Sequence, residues 1–486
     1  MKKLFLAIGL FALAIVLVAV TRAALLRPAA IAAAPMTPVA LDEDGAVKRF
    51  IGAIQIPTES VYHKAPNAVA MKQMRDYLEQ SFPRVHATML REVLPDGALL
   101  FTWKGRDTSL APVVLMGHMD VVGVPAEDLP KWKHAPYSGD VADGFIWGRG
   151  TLDDKIHVMS ELEAAETLIG RGFTPSRTIL FAFGDDEENG GTYGAVNIVK
   201  LLQSRNVHPD FVVDEGGAII TGAISGLAQP LAVIGVAEKG MLDLELSTKG
   251  VGGHSSEPPA HTAIGELSAG IVQLEAHPFP TSIPEVEREQ YATIAPYLPF
   301  SKRLVLGNLW LFERLIVHEG LKDPKMVGGF RTTTAADMID GGFKDNALPP
   351  SAHATVNFRI LPGETVASVT EHVRSLINDP GVSVTVSQDA QPRDPSPLSP
   401  IDSNGYKALQ MTIHQMFPGA VVSPYLVTAA TDASHYSVLT PNVYRFMALE
   451  ADLSMLSMVH GLNERIAPEK YVKTVQFTAQ LMQNIR

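Results

Sequence analysis

The chain has 486 residues, 46% of them hydrophobic and 19% charged. This is the composition of a globular protein too long for one core, so two domains are expected. Its net charge of −12 leaves no basic stripe to neutralise phosphates and excludes nucleic acid as a partner. The lack of cysteine excludes disulfides and thiolate zinc sites but names no compartment.

Lys2 and Lys3 precede an uncharged apolar run from Leu4 to Val20, closed by Thr21 and Arg22. A positive segment followed by a hydrophobic one fits a cleaved signal and a retained membrane anchor alike. The Ala-rich stretch around Ala30 to Ala34, where a cleavage site would lie, stands far from the apolar run and favours the anchor. Residues 1–27 are therefore read as a signal or anchor that contacts or crosses a membrane, with the protein anchored or secreted and its catalytic part outside the cytoplasm. Residues 28–42, with Pro28, Pro35 and Pro38, read as a linker.

Apolar spacing of three and four predicts helices over Asp44–Ile54 and Ala68–Phe82. Short strands are predicted at Leu99–Trp103, Val113–Met116, Ile179–Phe183 and Phe211–Val213. A long helix carrying Ile156, Met159, Leu162, Ala165 and Leu168 separates two of them. Such alternation predicts an α/β fold: a mainly parallel sheet with helices on both faces. His118 and Asp120 follow one strand, Glu187 and Glu188 the next, and Asp214 the third. In open α/β sheets, ligands gather outside the carboxyl ends of the strands, so three clusters distant in sequence are delivered to one edge.

A second pattern begins near Glu238. Leu242–Ser247 and Ala354–Ile360 alternate like half-exposed strands. The Pro-rich stretch from His277 to Val317 carries an apolar cluster at Leu309, Trp310, Leu311, Phe312 and Leu315, which would either line an acyl pocket or pack inside a lid. After Pro395–Pro400 a helix is predicted over Gly405–Met416. The organisation expected is a catalytic domain of residues 43–236 and 391–486, with a smaller α+β lid or dimerisation domain, 237–390, inserted into it.

Oxygen ligands mixed with imidazole, without thiolate, suit a hydrolytic centre that activates water with two metal ions. In Gly117-His118-Met119-Asp120, the two-residue spacing at a strand end puts both side chains on one side, so Asp120 can orient a metal-bound His118. Asp153, in Gly148-Arg149-Gly150-Thr151-Leu152-Asp153, fits either a first-turn acid of the long helix or a carboxylate bridging two metals. Asp185 to Glu188 are four consecutive acids after a buried strand, costly without compensating cations. Of Glu187 and Glu188, one could ligate metal while the other shuttles a proton. Asp214 repeats the strand-then-acid pattern, and His460 is an isolated imidazole near the chain end.

Taken together, GHMDVV, GRGTLDDK, DDEENGG, VDEGG, EKG with GGHSS, NALP with NFRILPG, and HGLNE resemble the di-zinc family of aminoacylase, carboxypeptidase S and glutamate carboxypeptidase, nearest its carboxypeptidase S and N-fatty-acyl amino acid hydrolase branch. The resemblance implies two zinc ions, one on His118, Asp153 and Asp214 and the other on Glu188, Asp153 and His460. It implies Glu187 as general base, Asp120 as the orienter of His118, and a cis peptide after Asp153. His254 resembles the histidine that stabilises the oxyanion, often across a homodimer. Asn346 and Arg359 match positions that bind the substrate carboxylate, a role that suits the bidentate geometry of arginine. The implied activity is zinc-dependent cleavage of the amide of an N-acyl amino acid or small peptide with a free carboxylate. Alternatives are a desuccinylase or ureido-acid amidohydrolase, and an inactive metal-bound ectodomain.

Overall fold

The computed structural model describes residues 1–28, 36, 38–61, 64–387 and 391–486. Most of the linker stretch read at 28–42, and the end of the stretch read at 237–390, fall outside the described residues.

A ten-stranded sheet organises the larger part of the chain. At its centre Val113–His118 pairs in parallel with Ile179–Gly184 on one side and Phe211–Asp214 on the other. Val443–Arg445 continues the parallel run beyond Phe211–Asp214. The sheet is mixed rather than purely parallel, because Leu99–Trp103 pairs antiparallel with Ile179–Gly184 and Ala218–Ile220 antiparallel with Leu231–Glu238. Alternate side chains serve two cores: Val113 and Leu115 pack with the Lys155–Gly170 helix, Val114 and Met116 with the Ala195–Ser204 helix. Fully buried strands with helices on both faces read as continuous apolar runs, which is why the pattern was visible.

The Lys155–Gly170 helix is buried almost all round, with even Glu161 and Glu163 shielded. Arg49, from the Glu43–Ile54 helix, meets Glu163 through two bonds of 2.7 Å.

A separate four-stranded antiparallel sheet has the order Thr333–Gly341, Ser351–Ile360, Gly240–Lys249, Val382–Val386. One face is covered by Ala263–Ala276 and Val366–Ile377, through Leu267, Leu274, Val369 and Val373. The helices between residues 285 and 327 leave this sheet. Glu285–Ile294 lies against Val421–Val427 of the large sheet, with Gln290 Nε2 donating to Pro424 O at 3.1 Å. Ile294 and Leu298 share a core with Val233 and Val421. In the apolar cluster of the Leu309–Gly320 helix, Leu309 and Phe312 are half-buried and Trp310, Leu311 and Leu315 are exposed, Trp310 and Leu311 on a groove with Thr281, Val317 and Leu321. None of these residues lines the cleft beside Glu188.

Candidate metal centre

The carboxyl ends of the three central strands converge. His118 ends its strand, and its Nε2 lies 3.1 Å from Asp153 Oδ1. His460 reaches the other oxygen of the same carboxylate, 2.9 Å from Nε2 to Asp153 Oδ2, and stands 3.1 Å from Glu188 Oε2. Glu215 Oε1 is 3.4 Å and Glu187 Oε2 3.8 Å from His118 Nε2. Around a tetrahedral zinc with ligand bonds near 2.0–2.1 Å, neighbouring ligand atoms are about 3.3 Å apart, so spacings of this size suit a cation at each end of Asp153.

Local geometry sets these positions. The Asp153–Asp154 peptide is cis, as the family resemblance implies. Gly150 sits at φ +89, where an added Cβ would press on Lys155 and Val121. His460 itself takes φ +58, turning a loop residue toward the sheet edge. Its side chain is 54% exposed, while His118 is 2% exposed.

Asp120 is completely buried and organises both clusters. Its Oδ1 lies 3.3 Å from His118 Nδ1 and accepts the Glu187 N–H at 3.2 Å. Its Oδ2 accepts the Glu188 N–H at 3.1 Å and the Ser60 hydroxyl at 2.6 Å. Glu188 in turn accepts the Val122 N–H through Oε1 at 3.0 Å, leaving Oε2 toward His460.

The charge balance calls for cations. Asp153, Glu187, Glu188 and Glu215 crowd two imidazoles, and Asp214 Oδ2 and Asp154 Oδ1 are buried without a hydrogen-bond partner. Burial pushes the Glu187 carboxyl well above the usual carboxylate range; His118 opposes this and Glu215 and Glu188 add to it. Burial likewise pushes Glu215 well up, with Asp153 and Asp154 adding to it. Ligand atoms of His118, Asp153 and Glu188 lie within 4.8 Å of one another, as do those of His118, Asp154 and Glu215. Hard carboxylate oxygens with imidazole nitrogens form a donor set that fits zinc.

The structure departs from the sequence reading at Asp214. Asp214 is the last residue of its strand and Glu215 the next, so their side chains leave on different sides. Glu215 meets His118, whereas Asp214 lies behind, within the influence of buried His157 and Glu238. The adjacent acids in Val213-Asp214-Glu215-Gly216 were the signal, but not which of them faces the site.

Arg359 lines a cleft of ≈ 550 Å³ together with Glu188, Tyr193, Asp243 and Asn357. Here Asn357 Nδ2 donates to Asp243 Oδ1 at 2.6 Å. Asn357 was not singled out in the sequence. His254 and Asn346 do not line this cleft; both are exposed and adjoin each other where the Ser255 N–H donates to Asn346 O at 3.2 Å.

Glu464, of the same motif as His460, is a second missed residue. It accepts the N–H groups of Gly150 and Leu152 at 3.0 and 2.8 Å and pairs with Arg149 at 2.6 Å, fully buried. It thereby ties the loop of His460 to the loop of Asp153.

Comparisons with known proteins identify the family and the fold. The peptidase family M20/M25/M40 matches residues 114–484. The chain is 39% identical over 442 residues to the N-fatty-acyl-amino acid synthase/hydrolase of Xenopus tropicalis, covering 90% of this chain and 85% of that one. It is 32% identical over 491 residues to carboxypeptidase S of Saccharomyces cerevisiae, covering 91% and 84%. In fold it is similar to an M20 family metallo-carboxypeptidase from Sulfolobus solfataricus, with TM-score 0.69, 17% identity and coverage of 90% and 99%. Human carnosine dipeptidase 1 is similar with TM-score 0.62, 17% identity and coverage of 91% and 96%. The chain belongs to the peptidase family M20/M25/M40 and is a metal-dependent hydrolase.

Proposed function

We propose that this chain is a di-zinc amide hydrolase that cleaves N-acyl amino acids, or small peptides, carrying a free carboxylate. The observation that carries the reading is the division of Asp153, one oxygen toward His118 at 3.1 Å and the other toward His460 at 2.9 Å. One zinc would be held by His118, Asp153 and Glu215, the other by His460, Asp153 and Glu188. Zinc bound there supplies Lewis acidity to the amide carbonyl and lowers the pKa of water.

The protein's own groups do the rest. Glu187, beside the ligands with Oε2 3.8 Å from His118 Nε2, takes a proton from the attacking water and returns it to the leaving amine. Asp120 holds the His118 ring and fixes the backbone that presents Glu187 and Glu188. Arg359 in the cleft grips the substrate carboxylate. His254 and Asn346 would join the site from a second subunit of a homodimer, His254 steadying the oxyanion. Residues 43–236 and 391–486 would form the catalytic domain and 237–390 the lid. The helix Lys2–Leu25, 24 residues long and uncharged from Leu4 to Thr21, would anchor the enzyme in a membrane with this domain outside the cytoplasm.

The test is a panel of N-acyl amino acids, dipeptides and their amide-capped counterparts, incubated with zinc-loaded protein with and without phenanthroline. Cleavage restricted to free carboxylates and abolished by the chelator is expected. Cleavage that survives chelation, or no cleavage of any member, would overturn the reading.

A further inference from the structure

The Lys2–Leu25 helix is exposed along nearly its whole length, yet Ala19 and Ala23 near its end are buried, at 3% and 0% exposure. They pack against the Phe300–Leu306 helix and the turn after it. Asn308, fully buried, donates through Nδ2 to Ala19 O at 3.0 Å and to Leu304 O at 2.9 Å. Its Oδ1 accepts the Trp310 indole N–H at 3.2 Å. Arg303 Nη1 donates to Leu26 O at 3.4 Å.

We propose that the hairpin from Phe300 to Gly320 is a membrane seat: it clasps the outer end of the retained anchor and lays Phe300, Trp310, Leu311 and Leu315 into the surface of the bilayer. The proposal rests on the reading of Lys2–Leu25 as a retained anchor.

Three observations select a bilayer as the occupant of this face. Phe300, Trp310, Leu311 and Leu315 are 47%, 53%, 40% and 47% exposed, on the hairpin that holds the apolar helix. A helix of 24 residues is about 36 Å long, and the hydrocarbon core is about 30 Å, so the Ala19–Leu25 end lies near the bilayer boundary. Indole rings concentrate at that level, with an apolar body in the lipid and a polar N–H satisfied. The surroundings also suit anionic headgroups. Arg22, Arg27, Lys302 and Arg303 flank the contact and no acid occurs in residues 1–41; the two acids of the hairpin, Glu313 and Glu319, are paired with Arg288 at 2.6 Å and Lys322 at 2.7 Å. Asn308, the buried polar side chain set against the helix, is fully bonded, as a group near hydrocarbon must be.

The chain offers a direct probe. Of its four tryptophans, Trp103, Trp132 and Trp147 are buried at 2%, 7% and 4% exposure, leaving Trp310 as the exposed indole. Full-length protein is reconstituted into vesicles of phosphatidylcholine and phosphatidylglycerol whose acyl chains are brominated. Fluorescence quenching is expected, with its loss in Trp310→Phe. Because there is no native cysteine, Leu26→Cys with Gly307→Cys gives a clean cross-link test; a Cβ at Gly307 would lie 2.6 Å from Leu26 Cδ1. An intramolecular link with the N-terminus still attached is expected.

Protein that resists carbonate extraction but shows no Trp310 quenching would overturn the seat and leave the anchor standing. Protein released by carbonate would overturn both. A link formed between two chains would assign this face to a second copy instead, and failure to cross-link at all would overturn the clasp.

Discussion

Asp120 accepts the backbone N–H of Glu187 at 3.2 Å through the same oxygen that faces His118 Nδ1 at 3.3 Å. One buried carboxylate therefore sets the orientation of the imidazole proposed to ligate metal and the position of the proposed base together. Asp120→Asn replaces an acceptor oxygen by a donor amide and breaks one side of this arrangement. A 10–100-fold loss of metal affinity is expected, as for partners that orient ligating histidines. Competition against a graded chelator reads it, and unchanged affinity would remove Asp120 from this role.

Glu187 approaches His118 without being needed to complete either ligand set. Glu187→Gln keeps its shape and removes its proton chemistry, so kcat should fall by about 10²–10⁴ with the metal content intact. Single-turnover kinetics beside metal analysis separates the two, and near-native turnover in a metal-replete variant would exclude Glu187 as the base.

Glu215 and Asp214 make opposite demands on the same experiment. Glu215→Gln should cost one equivalent of bound metal, because its Oε1 is the oxygen beside His118 at 3.4 Å. Asp214→Asn should retain both equivalents. The reverse order of metal loss would restore Asp214 as the ligand.

Arg149 and Glu464 form a buried pair at 2.6 Å that joins the loops of Asp153 and His460. Removing one partner leaves a buried charge uncompensated, and Arg149→Met should destabilise the protein by about 3–5 kcal/mol. Arg149→Met combined with Glu464→Gln should recover part of that loss. Denaturant midpoints measure both; a single-variant loss below about 1 kcal/mol would contradict the pairing.

Glu287, on the helix laid against Val421–Val427, is pushed up to about 7 by burial. The native state therefore holds a proton that the unfolded state has released between its ordinary value and pH 7. Its contribution to stability is full below the ordinary carboxylate range and is lost as pH rises through 7. Glu287→Gln should flatten the fall in thermal midpoint over that window. An unchanged pH profile in the variant would mean that Glu287 does not titrate as described.

Much of the site was legible because buried parallel strands leave unbroken apolar runs, and an acid just beyond such a run marks the sheet edge. His118, Glu187 and Glu188 were readable in this way. His460 was not readable from strand pattern: it arrives on a loop at φ +58 and is recognised only through its motif.

Length, charge and the strand-then-acid pattern carried the fold class, the hydrolytic chemistry and the apolar N-terminal helix, since these depend on local periodicity and residue type. Which of Asp214 and Glu215 turns to His118, and the seating of Glu285–Ile294 on a strand more than a hundred residues later, depend on contacts between distant segments. The same holds for the exposure of Trp310 beside the N-terminal helix. Side-chain direction at a strand end and the partner of an amphipathic helix are settled by three-dimensional packing, to which the order of residues along one segment is blind.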